Sequence, residues 1–194
     1  MTVTSPLCAQ YMTTGNRERN GGRILVDQLL RHGVERVFCV PGESYLPVLD
    51  ALYDERRRLP VVSCRHDGGA AFMAEAAGKL DGRPGVCLVT RGPGATNAAI
   101  AVHVAEQDST PMLLVVGQVA RAHAGCEAFQ EVDYERLFGG LARHVEQVET
   151  VAALPEAIAR AFATACGDRA GPVVLAVPED VLRDRARVAD AEPR

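Results

Sequence analysis

Along this chain, apolar runs of strand length alternate with stretches of helical spacing, and this alternation narrows the possible folds more than any single motif. The runs cover 34–40, 59–64, 86–89, 112–116, 144–148 and 173–177. Val86-Cys87-Leu88-Val89 and Met112-Leu113-Leu114-Val115-Val116 have no polar face, the pattern of strands buried on both sides. Between the runs, Ile24, Leu25, Gln28, Leu29 and His32 keep helical spacing from Gly22 until Gly33 stops it. Leu46, Leu49 and Leu52 mark a second helix, with Ser44 placed to cap it and Pro47 in its first turn. Further helices are predicted over 69–80, 95–107, 134–141 and 155–166. Doubly buried strands alternating with helices predict the α/β class: three α/β/α layers around a six-stranded parallel sheet, with right-handed crossovers.

In such a sheet, ligands collect beyond the carboxyl ends of the strands. Arg65-His66-Asp67-Gly68-Gly69 follows the second run, and Arg91-Gly92-Pro93-Gly94-Ala95-Thr96-Asn97 follows the third. A carboxylate therefore lies beside a backbone-lined Gly-Pro-Gly loop on one rim. Taken alone, Asp67 also suits a capping role, accepting a free N–H of the helix that begins next to it. The alanine- and glycine-rich helix 69–80 is suited to close packing against another surface. The connection 118–129, with Arg121, Cys126 and Phe129 followed by Gln130, is long for a compact domain, and such loops more often carry function.

Composition excludes several classes. The 194 residues are 47% hydrophobic and 24% charged, ordinary for one globular domain. A net charge of −4, with Arg56-Arg57-Arg58 and the arginines of 183–187 interleaved with acids, gives no basic face for nucleic acid. No run approaches the roughly 20 apolar residues that span a bilayer. No secretory signal pattern opens the chain, so the expected compartment is the cytoplasm. Cys39, Cys64 and Cys87 sit in apolar runs as small hydrophobes, and no Cys-x-x-Cys or histidine spacing suggests a metal. Residues 1–20 read as a disordered tail, 21–184 as the folded domain, and 185–194 as a linker or C-terminal tail.

Several of these segments occur in a familiar order. Val40-Pro41-Gly42-Glu43-Ser44, the Arg65–Gly69 and Arg91–Asn97 stretches, Asp108-Ser109-Thr110-Pro111, Gly117-Gln118-Val119, Ala128-Phe129-Gln130-Glu131 and Gly171-Pro172-Val173 together resemble the pyrimidine-binding domain of thiamine diphosphate enzymes. The likeness is closest to acetolactate synthase and its carboligase relatives, and it runs from Gly22 to Asp184. It implies a domain that binds the cofactor's aminopyrimidine at a subunit interface, within a homodimer. It also implies a small 2-oxo acid substrate such as pyruvate. In that family a glutamate after the histidine hydrogen-bonds the pyrimidine N1′ and drives deprotonation of the thiazolium C2. The resemblance puts Asp67 in that catalytic position. It puts Pro41, Gly42, Pro93 and Asn97 against the pyrimidine, with Phe129 and Gln130 on the substrate side and Gln130 assisting catalysis.

Two departures qualify the likeness. Asp67 is one methylene shorter than the family glutamate, about 1.5 Å of reach. The family's Gly-Asp-Gly signature for diphosphate and magnesium does not occur. The chain is thus expected to provide only the pyrimidine half of a cofactor site, with Mg2+ and FAD, where present, on a separate diphosphate-binding domain or subunit and other domains. Two other readings stand beside this one. One is a non-catalytic interaction module that keeps the fold as a dimer surface. The other is a dinucleotide-binding domain, disfavoured because Asn97 replaces the third glycine of that fingerprint.

Overall fold

The computed structural model describes residues 17–194. Six strands form its central sheet: β2 (Val37–Cys39), β3 (Val61–Ser63), β4 (Gly85–Val89), β5 (Met112–Gln118), β6 (His144–Gln147) and β7 (Pro172–Pro178). Their order is β3-β2-β4-β5-β7-β6, and every neighbouring pair is parallel. β5 and β7 are the longest and are buried throughout, which is why they read as unbroken apolar runs. β3 is shorter than the run 59–64 because Leu59, though buried, closes the preceding turn with its N–H on the Glu55 carbonyl, 2.8 Å away.

Helices cover both faces. On one, α1 (Gly21–Arg31), α2 (Leu46–Asp54) and α6 (Leu154–Ala165) press Ile24, Leu29, Leu52, Ile158 and Phe162 onto Leu88, Leu113, Val173 and Leu175. On the other, α3 (Asp67–Asp81), α4 (Gly92–Asp108) and α5 (Tyr134–Phe138) cover Cys87, Val89, Leu114 and Val174. The second layer is built from small residues: Ala70, Ala71 and Ala74 of α3, and Ala95, Ala98, Ala101 and Ala105 of α4. The backbone there comes so close that a Cβ on Gly85 would lie 1.8 Å from the Ala74 carbonyl oxygen. The three-layer α/β/α sandwich with a six-stranded parallel sheet is the one expected from the alternation.

Three local expectations are corrected. Ser44 does not cap α2: Tyr45 stands at that position without a side-chain cap, while Ser44 is buried with its Oγ 3.0 Å from Thr90 Oγ1. Gly92-Pro93-Gly94 is not a loop but the first turn of α4, where a proline loses no hydrogen bond. The segments read as tails are ordered where they are described. β1 (Arg19–Asn20) pairs antiparallel with β8 (Arg185–Ala186), which follows the short helix α7 (Glu179–Arg183). Arg19 is buried between Asp27 and Asp190, at 2.7 and 2.8 Å, and Asn20 caps α1 by accepting the Arg23 N–H. These charges could not be paired from sequence, because Asp190 lies 171 positions from Arg19. Residues 1–16 of the expected tail lie outside the described residues. No helix among the described residues is long and apolar enough to cross a membrane.

Candidate functional site

The carboxyl ends of β2, β3, β4 and β5 place the predicted residues on one rim. Asp67 is the first residue of α3, but the helix is capped by His66, whose Nδ1 accepts the Gly68 N–H at 3.1 Å. This removes the capping role considered for Asp67. Its Oδ1 is buried without a hydrogen-bond partner and lies 3.1 Å from the point where a Cβ on Gly94 would stand. The absent side chain at Gly94 therefore leaves room for the carboxylate against the first turn of α4. An orphaned buried acceptor costs about 1–3 kcal/mol unless a ligand or water satisfies it.

The core side of the carboxylate offers no cation. Burial pushes the Cys39 thiol up to about 11, with the Asp67 charge adding to the shift. Burial likewise drives Tyr45 and Cys87 well above their ordinary values, again with a contribution from Asp67. All three groups are neutral at pH 7, and among the described residues Asp67 has no ion pair. Among the described residues nothing donates to Oδ1, and no cation faces it.

The remaining predicted residues assemble around this point unequally. Gly42 packs against the end of β4, where its Cβ would meet Thr90 Cβ at 2.8 Å, and Pro41 beside it is exposed. Pro93 and Asn97 are exposed on α4, and the Asn97 carbonyl lies 3.0 Å from a Cβ on Gly68, so α3 and α4 touch where both begin. Gln130 reaches the site through its main chain: its φ is +64°, and its carbonyl accepts the Gly92 N–H at 2.9 Å. Phe129 next to it is 77% exposed. No group of three or more His, Cys, Asp or Glu among the described residues could hold a metal.

Two supporting residues were not singled out from sequence. Arg91 is buried and donates to Glu43 at 2.8 Å and to Glu179 at 3.0 Å, tying together the segments that follow β2, β4 and β7. Burial opposes its charge, but the Glu43 hydrogen bond and the Glu179 charge outweigh that and raise its pKa. Gln118, at the end of β5, donates Nε2–H to the Val132 carbonyl and accepts the Val119 N–H, each at 2.9 Å. Gln118 thus holds both ends of the long connection. The motifs containing these residues were visible, but their partners lie too far along the chain to be paired from spacing.

Comparison with known proteins agrees with the geometry. Residues 19–137 match the family model described as the thiamine pyrophosphate enzyme, N-terminal TPP binding domain. The chain is 37% identical over 178 residues to an acetolactate synthase large subunit from Pyropia yezoensis, covering 91% of this chain and 30% of that protein. It is 40% identical over 162 residues to the acetolactate synthase isozyme 2 large subunit of Escherichia coli (strain K12), covering 84% and 29%. It is also 40% identical over 163 residues to the mitochondrial acetolactate synthase catalytic subunit of Aspergillus candidus, covering 84% and 23%. The chain spans less than a third of the length of each of these relatives. With its parallel sheet, its rim carboxylate and the match over 19–137, the chain belongs to the thiamine pyrophosphate enzymes and carries their N-terminal TPP binding domain.

Proposed function

We propose that this chain forms the aminopyrimidine-binding half of an interface active site in an acetolactate synthase-like 2-oxo acid decarboxylase or carboligase. The single observation that carries this reading is the buried, unpartnered Asp67 Oδ1 at the meeting point of α3 and α4. That acceptor, with the side-chain-free positions Gly42 and Gly94 nearby, suits a flat heterocycle with a ring nitrogen to be held. Bound thiamine diphosphate supplies a nucleophilic carbon and an electron sink for cleavage beside a carbonyl. Asp67 would hold and exchange the proton at the pyrimidine N1′. Pro41, Gly42, Pro93 and Asn97 would flank the ring, and Phe129 and Gln130 would face the 2-oxo acid. The diphosphate, Mg2+ and any FAD would be held by a partner domain or subunit, since no Gly-Asp-Gly occurs here. The proposed compartment is reducing and cytoplasmic, in keeping with free cysteines at 39, 64, 87, 126 and 166.

Large apolar side chains exposed on α3 and α4, namely Phe72, Met73, Leu80 and Ile100, favour a homodimer through this face. The same patch supports a second reading, a dimerisation module without catalysis. Calorimetry separates the two. Thiamine diphosphate with Mg2+ should bind weakly or not at all to the chain alone, and saturably once a diphosphate-binding domain is supplied. Low-micromolar binding by the chain alone would contradict a divided site. Absence of binding in both cases would leave the dimerisation module.

A further inference from the structure

The connection between β5 and α5 carries an acid that the proposed chemistry does not use. Glu131 Oε1 accepts the Gly125 N–H at 2.5 Å, and its Oε2 accepts the Ala128 N–H at 3.0 Å. These two N–H groups are the donors to the carboxylate, while the Cys126 N–H goes to the His123 carbonyl at 3.2 Å. A third bond, from the Glu131 N–H to the Ala128 carbonyl at 2.9 Å, closes the 128–131 turn. Between 125 and 130, Gly125, Glu127 and Gln130 all have positive φ, at 76°, 53° and 64°. Two of the three are not glycine, so the backbone is held there against its own preference. The Gly125 and Ala128 N–H groups converge on one point, as in an anion-binding concavity, and here the chain fills it with its own side chain. Among the described residues no Arg or Lys pairs with Glu131; the backbone is its partner.

We infer that Glu131 is a positioning residue: its carboxylate, acting as a built-in anion, shapes the 125–130 turn and so presents Phe129 and Gln130 beside the first turn of α4. The link to the site is the Gly92 N–H on the Gln130 carbonyl, two residues after Ala128 and one before Glu131. Truncating the side chain leaves the N–H groups converging on nothing, and the strained residues relax. That Phe129 and Gln130 then serve a 2-oxo acid rests on the function proposed above, whereas the shaping of the turn does not.

The experiment has two arms. In the 194-residue chain, amide exchange is compared for the native protein, Glu131→Gln and Glu131→Ala. The Gly125 and Ala128 amides should exchange roughly tenfold faster or more in Glu131→Ala and by less in Glu131→Gln, with β4 and β5 unchanged. Added formate, a free carboxylate of the right size, should restore protection in Glu131→Ala. Unchanged exchange at Gly125 and Ala128 in both variants, or no rescue by formate, would overturn the inference. In the complex with a diphosphate-binding domain, Glu131→Gln should raise KM for pyruvate while leaving thiamine diphosphate affinity unchanged. Equal KM in variant and native complexes would show that the turn does not serve substrate. If the amides respond but no complex turns over pyruvate, the positioning role stands and the proposed function fails.

Discussion

An aspartate at position 67 holds its carboxyl group one methylene nearer the backbone than a glutamate would, and here that group is buried without a partner. If it exchanges a proton with the pyrimidine, reach is its main defect. Asp67→Glu should then speed hydrogen–deuterium exchange at the cofactor's C2 in a complex completed by a diphosphate-binding domain. Asp67→Ala should slow it by about 10²- to 10⁴-fold. Equal exchange in all three proteins would favour the dimerisation module. At the same scale, Arg91 joins three segments of the rim, so Arg91→Ala leaves half-buried Glu179 with only the more distant Arg183, at 3.8 Å. Because Glu43 on the other side is largely solvated, the expected loss in urea unfolding is modest, about 1–3 kcal/mol. A stability equal to that of the native protein would mean that the clamp contributes only geometry.

At the scale of elements, the long connection after β5 is held at both ends by carboxylates. At its start, Arg121 donates to Asp180 at 2.8 Å and to Asp184 at 2.6 Å. Burial raises the Asp180 carboxyl, but the Arg121 hydrogen bonds and charge more than reverse this and bring it below its ordinary value. At its end, the Gly125 and Ala128 N–H groups hold Glu131 below the ordinary 4.5. For a group whose folded pKa is depressed, the stabilisation is complete above the unfolded value and is lost as pH falls through the folded one. The amide signals of Gly125 and Ala128 should therefore hold constant from neutral pH down to the ordinary carboxylate value of 4.5 and shift toward unfolded positions only below it. A transition near neutrality would assign the anchoring to another group. The contact between α3 and β4 is less forgiving. Gly85→Ala drives a Cβ into the Ala74 carbonyl, and a loss of about 1–3 kcal/mol is expected in thermal unfolding.

The elements most legible in the sequence were those whose signal is local. β5 and β7 are buried on both faces, so their identity is written in consecutive residues. α4 was found, but its start was misplaced, because Gly-Pro-Gly normally interrupts structure and here begins it. The rim carboxylate was legible from strand and turn order. Its freedom from capping was not, since Asp is by type the better cap and only the backbone places His66 at that position. Ser44 bonds a residue 46 positions away, and Arg91 bonds residues 48 and 88 positions away. Such partners are chosen by the sheet order, which no local pattern contains.

For the whole molecule, the apolar face of α3 and α4 is the feature that a single copy leaves unsatisfied. Leu80 is 85% exposed and Ile100 is 58% exposed, on the same layer of the sandwich. Sedimentation at tens of micromolar should show a dimer, and Ile100→Asp should shift it toward monomer without altering secondary structure. Only monomer in the native chain would count against the symmetric interface. The pairing of β1 with β8 has a further consequence. Arg19 lies opposite Ala186, so the polypeptide enters and leaves the sandwich through one seam. Splicing this domain into a surface loop of an unrelated host would need no long spacers, because the two junctions lie side by side.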